Sequence, residues 1–361
     1  MKQTKPITLS FVLLWVLLSI FSTLAIPTRD SNTFAVPLGV PNAKKSPNPP
    51  SYAILPVKTP AVPVGTPPKI VYLQVDTGSG STIVLPPYNS SLSRTAKKEP
   101  ANDTTLPFLG GLKISGHYVR DVFRIGSITI RDHKFLAGTN VSQEAPGNGI
   151  LGLGIRTQIP DGETIGAPLL GIQLVKGGGG QILFGGIDYS KIIGSITYEK
   201  QSVEDQWIIP IKLAFTFGVE LPKNSSIESN RPIESSALID SGSTVVYVDN
   251  GLADAFYQTI PGYNISTDGY YTIPCDVEVS TLPVVKVIIN NQEFPIPRAD
   301  LVFEPTQNDP KQCVGGIQGG QPNPQLWILG DTFMQNYYLI FDRGEGQIGV
   351  AKRSDVKYDD H

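Results

Sequence analysis

The stretch QVDTGSG at residues 74–80 returns in altered form as IDSGSTV at residues 239–245, and this repetition decides the fold. In both places an apolar run leads into an aspartate, which is followed by a hydroxyl residue, a glycine and a serine. A second apolar segment follows each copy, at residues 83–85 and 245–248. An aspartate at the end of a buried strand, on a tight loop, is expected to accept hydrogen bonds from backbone N–H groups and from the next hydroxyl.

A second repeated motif accompanies the first. The tripeptide ILG occurs at residues 150–152 and again at residues 328–330, starting 74 positions after the first aspartate and 88 positions after the second. Two motifs that recur in the same order predict a chain made of two related halves.

The repeated aspartates suggest a specific chemistry. Two such loops, brought together about a pseudo-twofold axis, would place both carboxylates within reach of one water molecule. Like charges that close do not both ionise easily, so the pair shares one proton. One carboxyl group then acts as a base toward water while the other polarises a carbonyl oxygen, which suits hydrolysis of a peptide bond without a metal ion or a covalent intermediate.

Composition agrees with a large β-rich protein. The chain has 361 residues, enough for two domains, and it contains 36 glycines and 31 prolines. Short β-branched and aromatic runs alternate with turn residues from residue 60 onward, so strands should dominate. Helices should be few, and the better candidates are one over residues 251–260, with Asn250 as a candidate N-cap, and a short one after Asp331. The glycine run at residues 177–180 predicts a hairpin loop.

Charge and metal ligands exclude several classes. The formal charge of −3 argues against a basic nucleic-acid-binding protein. Three histidines and two cysteines are too few and too scattered for the usual zinc sites. In a secreted chain, Cys275 and Cys313 indicate one disulfide rather than a cysteine nucleophile. Residues 147–152 match the GxGxxG dinucleotide pattern, but no suitable acid follows about 20 residues later, and the segment is assigned to the first ILG motif.

The N-terminus predicts entry into the secretory pathway. Residues 1–25 combine two lysines, an apolar run and small residues near a cleavage position, as in a signal peptide; an uncleaved membrane anchor over residues 7–26 is the alternative. Residues 26–45 are a candidate pro-segment that ends at a dibasic pair, or else part of a solvated linker.

Without residues 1–45 the chain carries 24 basic and 31 acidic residues, a charge of −7. Five glycosylation sequons fit a glycoprotein: Asn89, Asn102, Asn140, Asn224 and Asn264.

Over residues 60–352 the chain resembles the pepsin-like aspartic proteases. Besides the two repeated motifs, the likeness includes GTPP at residues 65–68, GGID at residues 185–188, WILGD at residues 327–331 and YYLIFD at residues 337–342. The resemblance implies an all-β, bilobal fold with a long cleft between two pseudo-symmetric lobes, an N-terminal lobe over residues 46–197 and a C-terminal lobe over residues 198–361.

The resemblance also implies roles for individual residues. Asp76 and Asp240 become the catalytic pair at the floor of the cleft. The hydroxyls of Thr77 and Ser241 would lock the two loops together. Gly78 and Gly242 would lie beside the substrate backbone. Ser79 and Ser243 would be the outer hydrogen-bond donors to the carboxylates. Cys275 and Cys313 match the family's disulfide in the C-terminal lobe, while its usual disulfide in the N-terminal lobe has no counterpart.

The sequence departs from the family pattern at the flap that covers the cleft. Leu109 stands where the family has a flap tyrosine, with Gly110 and Gly111 at the tip, and Ile83 replaces the tryptophan that the tyrosine commonly contacts. Either an apolar contact between Leu109 and Ile83 replaces the polar pair and activity survives, or catalysis has decayed and the cleft only binds peptides. We favour the enzyme because both aspartates and their hydroxyl neighbours remain.

We therefore expect a secreted aspartic endopeptidase that works best at acidic pH and prefers apolar side chains around the scissile bond, with retention in an acidic vacuole as the alternative location. Ile83, Leu109 and Ile150 are candidates for one wall of the cleft, and Ile328 for the primed side. The expected partner is a peptide or protein substrate, bound by a monomer without a cofactor, a nucleic acid or, once the signal peptide is gone, a membrane. The contrasting function is an inactive, inhibitor-like peptide-binding protein; a carbohydrate-binding β module explains the composition but not the paired aspartates.

Overall fold

A computed structural model describes most of the chain from residue 60 onward. The described residues are 34–37, 60–100, 103–108, 112–126, 128–142, 147–155, 167–218, 227–229, 231–321 and 323–358. The predicted signal peptide lies outside this part of the chain, as do the predicted flap tip at residues 109–111 and the dibasic pair at residues 44–45.

Strands make up half of the described residues and helices only a small share, which confirms the all-β fold class. In chain order the strands are β1 (Phe34–Pro37), β2 (Ala61–Val64), β3 (Lys69–Tyr72), β4 (Gln74–Asp76), β5 (Ile83–Val84), β6 (Lys97–Lys98), β7 (Thr104–Pro107), β8 (Lys113–Ile125), β9 (Ile128–Val141), β10 (Gly149–Gly152), β11 (Leu169–Leu174), β12 (Gly180–Phe184), β13 (Ile192–Lys200), β14 (Ile208–Thr216), β15 (Ile233–Ile239), β16 (Val246–Tyr247), β17 (Asn264–Ile265), β18 (Tyr271–Pro274), β19 (Val284–Ile289), β20 (Gln292–Ile296), β21 (Val302–Pro305), β22 (Gln312–Gly315), β23 (Ile317–Gln318), β24 (Leu326–Leu329), β25 (Tyr337–Asp342) and β26 (Gln347–Arg353).

The helices are short and few in this part of the chain. The α-helices are α1 (Asn250–Tyr257) and α2 (Asp331–Met334), and the 3-10 helices are Ser90–Leu92, Tyr189–Lys191, Val279–Thr281 and Arg298–Leu301. Both predicted helices are present, but the predicted N-cap of the first is wrong by one residue. Asp249 caps α1, because its carboxylate accepts a hydrogen bond from the Leu252 N–H at 3.0 Å, and Asn250 is already inside the helix.

The N-terminal half forms a nine-stranded sheet. Seven of its strands lie in the order β3-β2-β8-β9-β5-β10-β4, with β6 and β7 paired to β8. Strand β10, which carries the first ILG motif, lies between β4, the strand that ends at Asp76, and β5. It runs parallel to β4 and antiparallel to β5. Strand β5 in turn runs parallel to β9.

The C-terminal half repeats this arrangement in a seven-stranded sheet of order β20-β19-β14-β15-β24-β16-β23. Strand β24, which carries the second ILG motif, runs parallel to β15 and antiparallel to β16, and β16 runs parallel to β23. The pairing around β24 therefore matches the pairing around β10 strand for strand. The two related halves predicted from the repeated motifs are present as two copies of one local topology.

A six-stranded sheet of order β1-β12-β11-β25-β26-β13 combines strands from both ends of the chain. Its central strand β25 is buried along five of its six residues, so it reads as an uninterrupted apolar run rather than an alternating one. The hairpin β11-β12 is closed by the predicted glycine loop at residues 177–180. A separate four-stranded sheet, β17-β18-β22-β21, completes the C-terminal half.

Two apolar clusters hold these sheets together. The large one runs through both halves and includes edge-to-face aromatic contacts such as Trp207 with Phe341, whose ring centroids are 5.2 Å apart. The smaller one, here called the flap cluster, joins β5, β7, β8, β9 and β10; its buried members are Ile83, Leu85, Leu106, Leu112, Ile114, Leu136 and Ile150. Within the described residues, no helix is both long enough and apolar enough to cross a membrane.

Candidate active site

The two repeated aspartates lie at matching places in the two sheets. Asp76 is the last residue of β4, and Asp240 directly follows β15. Both are buried, with 7% and 6% of their surface exposed. The Asp76 carbonyl accepts a hydrogen bond from the Leu153 N–H at 2.7 Å, and the Asp240 N–H donates to the Leu329 carbonyl at 3.1 Å. The segments that carry the ILG motifs therefore fix both aspartates at the ends of their strands.

The glycine of each ILG motif is required by a close backbone approach. A Cβ atom on Gly152 would lie 2.6 Å from the carbonyl oxygen of Ser81, and one on Gly330 would lie 2.5 Å from that of Ser243. Both distances are shorter than any real side chain tolerates, so the chain that follows each aspartate passes directly against its ILG segment.

Thr77 and Ser241 bind the two active loops to each other. The Thr77 hydroxyl donates to the Ile239 carbonyl at 2.8 Å and accepts from the Ser241 N–H at 3.0 Å. The Ser241 hydroxyl donates to the Val75 carbonyl at 2.9 Å and accepts from the Thr77 N–H at 3.1 Å. Each hydroxyl thus satisfies one backbone donor and one backbone acceptor of the opposite loop in a water-excluded place.

Gly78 and Gly242 place each loop against the opposite aspartate. A Cβ atom on Gly78 would lie 2.6 Å from Cγ of Asp240, and one on Gly242 would lie 2.6 Å from Cγ of Asp76. These crossed contacts bring the two carboxyl groups into one site, although the residues are far apart in the sequence.

The Asp240 carboxylate accepts three hydrogen bonds. The Gly242 N–H donates to its Oδ1 at 2.8 Å, and the Gly78 N–H of the opposite loop donates to the same atom at 3.1 Å. The Ser243 hydroxyl donates to its Oδ2 at 2.6 Å. Hydrogen bonds of this kind favour the ionised form of a carboxyl group.

The Asp76 carboxyl group has different surroundings. The Ser79 N–H donates to its Oδ1 at 2.9 Å, but the Ser79 hydroxyl donates to the Ser81 carbonyl at 3.3 Å instead. The expected pair of outer serine donors is therefore present as a hydroxyl at Ser243 and as a backbone N–H at Ser79. The Ser79 hydroxyl is turned away because the Ser81 carbonyl and N–H both bind it.

Burial raises the pKa of Asp76 well above the usual carboxyl value, and the charge of Asp240 and a hydrogen bond between the two carboxyl groups raise it further. Hydrogen bonds from the backbone of Ser79 and Gly78 act in the opposite direction but do not cancel this rise. This rise is the direction expected when two buried carboxyl groups lie against each other.

The flap predictions fall partly outside the described residues. Strands β7 and β8 form a hairpin whose turn begins at Phe108, where the N–H donates to the Leu112 carbonyl at 2.8 Å; residues 109–111, the predicted tip, are not described. Ile83 is fully buried in the flap cluster and Ile150 is 4% exposed, so both pack beneath this hairpin. Ile328 is 3% exposed and lies beside Tyr247 in the matching place of the C-terminal half.

Two polar residues that the motif comparison leaves out also stand beside the pair. Gln74, two residues before Asp76, donates from its side-chain amide to the Gly242 carbonyl at 3.1 Å. Tyr247 is half-buried, and burial followed by the charge of Asp240 raises its pKa. A sequence signal exists for both: Gln74 interrupts an otherwise apolar strand, and Tyr247 occupies the place in the second half that Ile83 occupies in the first.

The predicted disulfide is confirmed. Cys275 and Cys313 are joined with a Cα–Cα distance of 4.9 Å, linking the end of β18 to β22 in the C-terminal half. Among the described residues, no three His, Cys, Asp or Glu side chains converge in a way that would hold a metal ion.

Comparison with known proteins gives one consistent family. The chain matches the model of the eukaryotic aspartyl protease family over residues 59–353. Gastricsin of Rattus norvegicus is 27% identical over 329 residues, which cover 80% of this chain and 79% of gastricsin. Rhizopuspepsin of Rhizopus chinensis is 28% identical and rhizopuspepsin-2 of Rhizopus niveus 30% identical, each over 80% of this chain and 77% of the relative.

Proposed function

The chain belongs to the eukaryotic aspartyl protease family, and from that premise we propose that Asp76 and Asp240 together activate one water molecule for the hydrolysis of peptide bonds. The family match and the similarity of the chain to gastricsin and rhizopuspepsin identify it as an aspartic-type endopeptidase, a hydrolase that acts on peptides. The observation that carries the residue assignment is the crossed contact of each active-loop glycine with the opposite carboxyl group.

The unequal surroundings of the two carboxyl groups suggest how they divide the work. We assign the base to Asp240, whose carboxylate accepts three hydrogen bonds, and the acid to Asp76, whose pKa is raised by burial and by the neighbouring carboxylate. Asp240 takes a proton from water as the water oxygen attacks the peptide carbonyl, and Asp76 gives its proton to the carbonyl oxygen. The tetrahedral intermediate then collapses: Asp240 passes its proton to the leaving nitrogen, the C–N bond breaks, and a hydroxyl of the intermediate returns a proton to Asp76.

Acidic working conditions follow from this division. The pair is competent only while one proton is shared between the two groups, and activity ends when that proton is lost. The raised pKa of Asp76 extends the competent form toward higher pH than an ordinary carboxyl group would allow.

Maturation and location form part of the same proposal. We infer a signal peptide over residues 1–25, a pro-segment over residues 26–45 and the two lobes at residues 46–197 and 198–361, in a glycosylated protein that is secreted or kept in an acidic vacuole and acts as a monomer. Strand β1 lies within the inferred pro-segment and pairs with β12, so cleavage after residue 45 would leave that edge strand held only by its sheet contacts. Among the described sequons, Asn89, Asn140 and Asn264 are exposed, which supports their glycosylation.

A cleavage assay tests the function. The secreted, processed protein is incubated with denatured globin from acidic to neutral pH, with and without a pepstatin-type inhibitor, and the products are sequenced by mass spectrometry. We expect cleavage at acidic pH, block by the inhibitor, and apolar residues on both sides of the cut bonds. Binding of the inhibitor without any cleavage across this range would replace the enzyme by the peptide-binding alternative. Cleavage that the inhibitor leaves unchanged would contradict the paired-aspartate assignment.

A further inference from the structure

Gln74 occupies an unusual place for an amide side chain. Its neighbours in the strand, Leu73 and Val75, are both fully buried and apolar, and its own side chain is half-buried. Side chains alternate between the faces of a strand, so Gln74 points to the same face of β4 as Asp76. From there its Nε2 donates to the Gly242 carbonyl in the opposite active loop, 168 positions away in the sequence, at 3.1 Å.

We propose that Gln74 is a positioning residue for the hydrolytic reaction, one that holds the second active loop in its working geometry through the Gly242 carbonyl. This inference rests on the proposed roles of Asp76 and Asp240.

The contact is linked to Asp240 by short steps. The Gly242 carbonyl belongs to the peptide unit whose N–H is that of Ser243, and this N–H donates to the Asp240 backbone carbonyl at 3.2 Å. The Ser243 hydroxyl, on the next atoms of the chain, donates to the Asp240 carboxylate at 2.6 Å. Fixing the plane of this peptide therefore fixes the loop that carries the Ser243 hydroxyl, the donor at the shortest distance from the Asp240 carboxylate.

The second half of the molecule has no equivalent contact. Gln74 pairs with Ile150 in the first half, and Leu238 pairs with Ile328 in the second, so Leu238 is the structural counterpart of Gln74. A leucine side chain has no donor, so it cannot bind the carbonyl of Gly78 in the way that Gln74 binds that of Gly242. The amide thus supports the second loop alone, the loop that holds Asp240.

Three variants separate positioning from simple stability. Gln74→Leu copies the residue of the second half and removes the donor. Gln74→Glu supplies a donor only while its carboxyl group is protonated. Gln347→Leu is the matched control, because Gln347 is a half-buried glutamine whose amide binds Asp342 in the six-stranded sheet, away from the aspartate pair.

Initial rates with a peptide substrate are measured for the processed protein from acidic to neutral pH, together with its melting temperature. We expect Gln74→Leu to lower kcat about tenfold with KM changed less than about twofold, because a loop displaced by a fraction of an ångström slows the reaction more than it weakens binding. Gln74→Glu should approach wild-type kcat at the acidic end and lose it at lower pH than wild type, as the new carboxyl group loses its proton and adds a second negative charge beside the aspartate pair. Gln347→Leu should keep both kcat and the pH profile.

Two results would overturn the inference: equal kcat values for Gln74→Leu and Gln347→Leu, or parallel pH profiles for Gln74→Leu and Gln74→Glu. If the wild-type protein itself cleaves nothing, the proposed function fails, and the affinity of the same variants for a pepstatin-type inhibitor becomes the readout. Weaker, pH-dependent binding by Gln74→Glu as pH rises would then support the positioning role, and equal affinities would refute it.

Discussion

The two active loops are alike in what joins them and different in what surrounds their carboxyl groups. The hydroxyls of Thr77 and Ser241 make equivalent hydrogen bonds: each donates to a backbone carbonyl of the opposite loop and accepts from a backbone N–H of that loop. The serines two residues further on behave differently, because the Ser243 hydroxyl binds its aspartate and the Ser79 hydroxyl does not. A duplicated scaffold can therefore keep its symmetry in the backbone while its two carboxyl groups accept different sets of hydrogen bonds.

Replacing either aspartate should give the largest loss of activity, and the symmetry of the two loops predicts similar losses at both positions. Asp76→Asn and Asp240→Asn should each lower kcat by at least about 10³-fold, because the base and the acid are both needed. Asp268→Asn, which changes an exposed aspartate between β17 and β18, is the matched control and should keep activity. A variant at either site that retains more than a tenth of the wild-type rate would break the assignment of the pair.

The linking hydroxyls should also respond equally, this time in stability. Thr77→Val and Ser241→Ala each leave a buried N–H and a buried carbonyl without a partner, which costs about 1–3 kcal/mol per group. Denaturant unfolding should show free energies of unfolding lowered by similar amounts in the two variants, about 2–6 kcal/mol each. A loss confined to one of them would show that the link is not symmetric.

The outer serines should respond unequally. Ser243→Ala removes a hydroxyl donor from the Asp240 carboxylate and should lower kcat about tenfold, the scale of one hydrogen bond to a charged group. Ser79→Ala removes a hydroxyl that serves only its own loop, so kcat should change less than about threefold. The kcat values of the two variants are measured side by side with the same substrate. Equal losses would contradict the unequal roles of the Ser243 and Ser79 hydroxyls.

The pH dependence of stability gives the smallest effect. The native state holds the Asp76 proton more tightly than the unfolded chain, so this contribution to stability is complete below the ordinary carboxyl pKa of about 3.9 and is lost as pH rises through the raised native pKa. The asparagine side chain in Asp76→Asn has no such proton to lose, so the melting temperature of the variant minus that of the wild type should increase by a few degrees as pH rises. A change of about 1 kcal/mol in the free energy of unfolding shifts the melting temperature by about 2–4 °C. Scanning calorimetry at several pH values checks this, and Asp268→Asn should show a constant difference.

Much of the site could be predicted because its signals are local. An aspartate that ends an apolar strand, a glycine two residues later and the recurring ILG tripeptide all follow from what a short stretch of backbone can do. The strands, the hairpin at residues 177–180 and the disulfide partner of Cys275 were predictable for the same reason or from the resemblance. The N-cap of α1 was missed by one residue because Asp249 and Asn250 are adjacent and both are good caps.

Other features depend on segments that are distant in the sequence. Whether the Ser79 hydroxyl faces Asp76 or Ser81 depends on the path of residues 79–81 against Gly152, and the bond from Gln74 to Gly242 exists only because two strands from different halves converge. The motif contains both side chains but does not determine which partner either of them binds.

The amino-acid sequence alone determined that this chain is β-rich, duplicated and equipped with two aspartates on matching loops, because strand periodicity and tight turns are set by neighbouring residues. Only the tertiary structure decided which polar surroundings each of the two carboxyl groups receives. That choice depends on burial and on hydrogen-bond donors brought from the opposite half of the molecule, and such donors become neighbours only when the sheets have packed.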